Sequence, residues 1–220
     1  TVLDYCSPDD EMRVGAEIEM MHDDSSRAWL MKGDTLTVRQ LLIALMLPSG
    51  NDAAYTLAVN TGKKIAGDKD LSDTQAIDVF MDKVNEKAKQ LGAKNSNFVV
   101  PDGYDADGQY TTAYDLAIIA KACLDEPCIS DIVATYSSYE RWTNGREVTY
   151  KNTNELLNPD SKYYRPEVIG LKTGTSGRGG ACIISAAVIN GNTYICAVMG
   201  STENDRFQDS VDIIDAIKLQ

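Results

Sequence analysis

The apolar positions of the chain follow two different periods, helical in its first half and alternating in its second. Val38, Leu41, Leu42, Leu45 and Met46 recur at the i, i+3, i+4, i+7, i+8 spacing of one buried helical face. Thr37 is placed to cap that helix and Pro48 to stop it. Ala53, Ala54, Leu57 and Ala58 resume the spacing at once, which puts Ser49-Gly50-Asn51 on a short connector pinned between two buried helices. Gly62 to Asp73 reads as a charged loop, followed by a long amphipathic helix with Ile77, Met81, Val84, Ala88 and Leu91 on one face and Gly92 at its end. Asn95 to Gln109, rich in Asn, Asp and Gly, reads as a long loop with an extended piece at Asn97 to Val100, and loops of that length are often functional. Thr111 or Thr112 caps the next helix, in which Leu116, Ile119, Ala120 and Cys123 face inward, and Pro127 to Ala134 adds a further helical turn or two.

Past Thr135 the period becomes 2. Tyr136 to Trp142 and Glu147 to Lys151 flank Asn144-Gly145, a hairpin signal at which the sheet is predicted to begin. Val168 to Thr173 and a second hairpin, Cys182 to Ile189 with Thr193 to Met199 around Asn190-Gly191, continue it. A last helix carries Phe207, Val211, Ile214 and Ile217 on one face. Before the first helical stretch, Met12 to Ile18 is a candidate strand, Asp23 to Ser26 a loop and Lys32-Gly33-Asp34 a turn. A helical middle, antiparallel strands and a closing helix predict an α+β fold, with a helical lobe beside a helix-covered sheet and the active cleft between them.

Composition removes several functions. With 33 acidic against 21 basic residues the formal charge is −12, and there is no basic stripe for phosphate contacts, which argues against a nucleic-acid partner. No apolar run approaches the length needed to cross a membrane. The five cysteines show no Cys-x-x-Cys spacing, and the register set by Asn190-Gly191 places Ser185 opposite Cys196, so Cys182 lies on the other face of the sheet from Cys196. The single histidine, His22, leaves no basis for a multi-histidine metal site, and no metal or cofactor is expected. A serine enzyme with this composition would use lysine as its base.

Ser49-Gly50-Asn51 alone is ordinary turn and N-cap chemistry. Its weight changes at Leu171-Lys172-Thr173-Gly174-Thr175, where a lysine and two hydroxyls precede a Gly-rich turn and a strand. Together with Leu36-Thr37-Val38, Pro48 to Ala54, Asn85 to Gly92, Thr111 to Ala117 and Asn152-Thr153-Asn154, in that order, the chain resembles the penicillin-binding domain of serine-type D-alanyl-D-alanine carboxypeptidases, the low-molecular-mass penicillin-binding protein family. The resemblance covers nearly the whole chain, 1–220, as one catalytic domain of β-lactamase/transpeptidase-like fold. One departure stands out: the family takes its nucleophile and base from Ser-x-x-Lys, and no serine here has lysine three residues later. Thr1 to Cys6 resembles the end of the helix that the motif opens, so the motif is expected upstream of Thr1, and the chain by itself is expected to be inactive. The loop at Pro101-Asp102-Gly103-Tyr104 also departs from the His-Gly-Leu often found in relatives.

The resemblance implies a two-step acyl transfer on peptidoglycan stem peptides ending in D-Ala-D-Ala. Ser49 would pass protons between the lysine base and the leaving amine, and Asn51 would hold that lysine and the substrate amide. Lys172 would supply positive potential, with Thr173 and Thr175 hydrogen-bonding the terminal carboxylate, Gly174 leaving room for substrate, and Arg206 near the last helix adding a second cation. It further implies β-lactams as inhibitors, a place outside the cytoplasmic membrane, and attachment to that membrane only through an anchor outside this chain. A catalytically silent peptidoglycan-binding protein of the same fold, or an endopeptidase or β-lactamase, would share the constellation.

Overall fold

A computed structural model describes residues 1–219. After a short opening helix, α1 (Val2–Tyr5), the strands β1 (Glu11–Arg13) and β2 (Thr35–Thr37) pair antiparallel. The strand expected over Met12 to Ile18 is cut short because Glu17 starts a 3-10 turn. Its buried carboxylate accepts the Gly15 N–H at 2.8 Å and the Thr56 hydroxyl at 3.0 Å.

Helix α2 (Val38–Met46) begins with a capping box, in which the Gln40 N–H donates to the Thr37 hydroxyl and the Thr37 N–H to the Gln40 side chain. It buries Val38, Leu41, Leu42, Ile43 and Ala44 and ends just before Pro48. Helix α3 (Asn51–Ala66) is buried along most of its length and runs through Gly62, where a loop was expected to start. The reason is its neighbour. Helix α4 (Asp73–Leu91) crosses so closely that a Cβ on Gly62 would collide with the backbone carbonyl of Ala76. The glycine is there for close approach rather than for a turn. Gly92, left-handed at φ 102°, ends α4 as expected.

The loop after α4 is closed at its base by Asn97 and Tyr110, which exchange backbone hydrogen bonds at 2.9 and 3.1 Å. Thr112 caps α5 (Ala113–Leu124), and α6 (Pro127–Val133) follows. On α5 only Asp115 and Ala120 are buried, whereas Leu116, Ile119 and Cys123, expected to face inward, are half-buried.

The hairpin β3 (Ser137–Arg141) and β4 (Glu147–Lys151) forms around Asn144-Gly145, but as a separate two-stranded sheet instead of the start of the main one. Trp142 and Tyr150 pack it into the core of α2 and α3. The main sheet has three antiparallel strands in the order β5 (Val168–Ser176), β6 (Gly180–Ile189), β7 (Asn192–Ser201), with β5 at an edge. Asn190 and Gly191, at φ 51° and 78°, make the two-residue turn, and Ser185 faces Cys196 in the expected register. All five cysteines are free. Helix α7 (Asp205–Lys218) covers one face of the sheet through Phe207, Val211 and Ile214, while Ala120 of α5 and Val133 of α6 meet Leu171 and Ala186 on the other. The architecture is therefore the expected α+β arrangement.

Because the α3–α4 crossing has no space for a side chain at residue 62, Gly62→Ala should lower unfolding free energy by about 2 kcal/mol, within the range of core overpacking. Urea denaturation checks this, with the midpoint falling and the slope unchanged.

Candidate active site

The first half of the site lies where α2 hands over to α3. Ser49 adopts φ 63°, a left-handed conformation that costs a side-chain-bearing residue energy and is held by its surroundings. Those surroundings are specific. The Gly50 N–H donates back to the Ala44 carbonyl at 3.0 Å, and a Cβ on Gly50 would lie 2.5 Å from the Ala28 methyl. The Asn51 N–H donates to the Ser26 carbonyl at 2.9 Å. Asn51 is buried and is the first residue of α3, not part of the connector as expected. Ser49 is half-buried, and its hydroxyl makes no hydrogen bond among the described residues, which leaves it free for chemistry.

Asp52 fixes this geometry from beneath. Its buried carboxylate accepts the N–H groups of Ala28 at 2.9 Å and Leu30 at 3.0 Å, on either side of the left-handed Trp29 at φ 62°, and so clamps the strap of residues 26–30 across the start of α3. The strap is held from its other side as well, where the Tyr150 hydroxyl donates to the Ala28 carbonyl and Arg146 to that of Trp29.

The second half is the edge strand β5. Thr153 joins it to the first: its N–H donates to the Leu47 carbonyl at 3.1 Å, and its hydroxyl lies 2.6 Å from that of Thr173. The Thr173 hydroxyl is thus engaged with Thr153 and buried. The Lys172 ammonium donates to the Thr173 carbonyl at 2.9 Å. Arg206, from the first turn of α7, reaches the Gly174 carbonyl at 3.0 Å and the exposed Thr175 hydroxyl at 2.9 Å. Its Nε is buried with no partner among the described residues. Lys172, Gly174, Thr175 and Arg206 therefore form one cluster, connected to Ser49-Gly50-Asn51 through Thr153.

The electrostatics of that cluster are unusual for so acidic a chain. None of the ion pairs among the described residues involves Lys172 or Arg206. Burial pulls the half-buried Lys172 down to about 8, and the charge of Arg206 acts in the same direction. Burial likewise lowers Arg206. Two adjacent cations without an ion-pair partner, beside the exposed hydroxyl of Thr175, are suited to an anion.

A third element closes the side of the site. The Asp102 carboxylate accepts from the Asn51 amide at 3.0 Å, and burial pushes it up from the ordinary carboxylate range. Asp105 accepts the Arg178 N–H at 2.9 Å, so the same loop also holds the turn between β5 and β6. Neither Thr153, Asp52 nor Asp102 was given a role from sequence. Thr153 stood within Asn152-Thr153-Asn154, which matched the family without a stated function. His22, the only histidine, stacks on Tyr104 at 4.0 Å at the outside of this loop.

Comparison with known proteins places these observations. Residues 4–203 match the family described as D-alanyl-D-alanine carboxypeptidase. The chain is 34% identical over 191 residues to D-alanyl-D-alanine carboxypeptidase DacF of Bacillus subtilis, covering 86% of this chain and 45% of that protein. It is 38% identical over 185 residues to a D-alanyl-D-alanine carboxypeptidase of Streptomyces sp. K15, covering 80% of this chain and 59% of that protein. The chain thus spans about half the length of these curated relatives. The crystal structure of the Streptomyces K15 DD-transpeptidase superposes with a TM-score of 0.84 at 31% identity, covering 95% of this chain and 79% of that one. The fold is accordingly the β-lactamase/transpeptidase-like one.

Lys172 should titrate near 8 in NMR of lysine-labelled protein, against 10.5 for an ordinary lysine. Arg206→Ala should raise that midpoint without restoring it fully, because burial is the larger cause. The sign for folding follows: the charged form is disfavoured only in the folded state, so Lys172 lowers stability below pH 8 and this penalty is relieved as pH rises from 8 toward 10.5.

Proposed function

The chain belongs to the D-alanyl-D-alanine carboxypeptidase family, and from that we propose that it is the catalytic domain, 1–220, of a serine enzyme that removes the terminal D-alanine of peptidoglycan stem peptides. The observation that carries the reading is the Lys172–Arg206 cluster, without an ion-pair partner, on a sheet edge whose Thr173 is tied through Thr153 to Leu47, two residues before a serine held in a left-handed conformation. A peptide ending in a carboxylate is what such a site fits. Its backbone extends the sheet along β5, and its terminal anion meets Lys172, Thr175 and the Arg206 guanidinium. Gly174, with no atom within 4 Å of where a side chain would begin, leaves the approach open. Thr173 acts at one remove, holding Thr153 and through it the Ser49 connector.

The acylating serine and its lysine are taken from sequence outside residues 1–220. In the first step the serine oxygen adds to the penultimate carbonyl, the bond to the terminal D-alanine breaks, and the departing amine receives a proton through Ser49. In the second step water adds to the ester, and the serine leaves with the proton returned. Asn51 holds the lysine through its carbonyl oxygen and the substrate through its amide N–H. Lys172 stabilises the negative charge that develops. β-Lactams would occupy the same cleft and acylate the same serine. The enzyme would act in the cell envelope. Among the described residues no helix is long and apolar enough to cross a membrane. No feature of the site favours a silent peptidoglycan-binding protein, an endopeptidase or a β-lactamase over this reading.

Incubation of the full-length gene product with a penicillin should yield a penicilloyl adduct on a serine outside the 220 residues, detected by intact mass and peptide mapping. Absence of both the adduct and peptidase activity would overturn the enzymatic reading. In that protein Ser49→Ala and Lys172→Ala should each lower peptidase turnover by at least about a hundredfold, the scale of acid–base and electrostatic contributions. Arg206→Ala should weaken turnover of peptides with a free terminal carboxylate and leave amidated controls unaffected; equal losses on both would remove Arg206 from carboxylate binding.

A further inference from the structure

Among the side chains of the site, Asn51 has the orientation that backbone geometry alone does not set. A primary amide occupies nearly the same space either way round, but one side only donates and the other only accepts. Which side faces the reaction therefore depends on what stands behind it, and that is Asp102. Its Oδ2 accepts from Asn51 Nδ2 at 3.0 Å, and its Oδ1 accepts the backbone N–H of Tyr104 at 3.1 Å. Both oxygens are thus committed, one to Asn51 and one to the loop that carries Asp102.

That loop is itself held from three sides. Gln109 donates to the Tyr104 carbonyl at 2.8 Å and accepts from the N–H groups of Val99 and Val100. The Tyr104 hydroxyl donates to Asp24 at 2.9 and 3.1 Å. Beyond Asp102, the Asp105 carboxylate accepts the Arg178 N–H. Tyr55, one turn along α3 from Asn51, stays a neutral phenol, its titration pushed up to about 12 by burial and by the charge of Asp102. With Oδ1 taken by the Tyr104 N–H and Oδ2 accepting from Nδ2, Asn51 meets Asp102 through its NH2 group, and its carbonyl oxygen points away from Asp102.

We propose that Asp102 is a positioning residue for acyl transfer, fixing the Asn51 amide so that its carbonyl oxygen faces the reacting groups and its second N–H remains for substrate. The proposal rests on the reading of the chain as a serine peptidase domain. It assigns a purpose to the loop 101–110 beyond closing the cleft: the loop sets which way the Asn51 amide faces.

The test is a double-mutant cycle in the full-length gene product, read as the second-order rate of penicilloyl adduct formation and as kcat and KM on a D-Ala-D-Ala peptide. Asp102→Ala should slow acylation about tenfold, the size of a lost hydrogen bond to a charged group, with the loss in kcat and not in KM. In an Asn51→Ala background the same change should cost nothing further, because there is no amide left to orient. Asp102→Asn keeps the shape but can meet Asn51 with either side of its own amide, and should fall between wild type and Asp102→Ala. Equal losses in the two backgrounds, or unchanged acylation in Asp102→Ala with the native fold retained by urea denaturation, would overturn the proposal. Wild-type protein that forms no adduct and cleaves no peptide would overturn the peptidase reading and this proposal with it, an outcome distinct from failure of Asp102 alone.

Discussion

The buried carboxylate of Asp52 is the interaction on which the site depends. It satisfies two N–H groups of the strap at residues 26–30 that would otherwise be buried without partners, and it does so from the first turn of α3. A buried N–H left unpaired costs about 1–3 kcal/mol, so strap and helix are effectively one unit. The left-handed backbone of Ser49, the close contact of Gly50 with Ala28 and the bond from Asn51 to Ser26 all follow from that fixed spacing. Ser49 holds its conformation because the residues on either side cannot move.

Strain and uncompensated charge meet at the site. A serine with positive φ, a lysine whose charge is disfavoured by burial and an arginine with a buried unpartnered Nε each oppose stability. They lie on two different packing units, the first on the core of α2 and α3 and the other two on the sheet with α7. Thr153 connects the units by a backbone bond to one and a hydroxyl bond to the other. Thr153 thereby holds the two halves of the site against each other.

Much of this was legible in the sequence, and what was not has identifiable physical causes. Helix α2, its Thr37 cap, the end of α4 at Gly92 and the two Asn-Gly hairpins were read correctly because cap and turn chemistry is local. Gly62 was misread as a loop signal because its role is set by Ala76 on another helix. The β3–β4 hairpin was recognised but assigned to the wrong sheet, since pairing partners beyond a hairpin are not written in a period of 2. Of the site, Lys172, Gly174, Thr175 and Arg206 were grouped by resemblance, and the structure puts them within reach of one another. Asp52, Asp102 and Thr153 escaped because each works through a partner 20 or more residues away along the chain.

The position of β5 at the margin of its sheet has a cost outside the reaction. An unpaired strand edge offers its N–H and C=O groups to any extended chain, including another copy of itself, and long exposed edges are where aggregation begins. Natural sheets guard such edges with charge, lysine above all, and with short or bulged strands. Lys172 stands midway along that edge, and the register breaks between Val168 and Gly170 at the start of the strand. An ammonium on this edge opposes the pairing of identical strands, each bringing its own cation to the same place. On the proposed function, recognition of one short ligand and resistance to self-association would be served by a single charge.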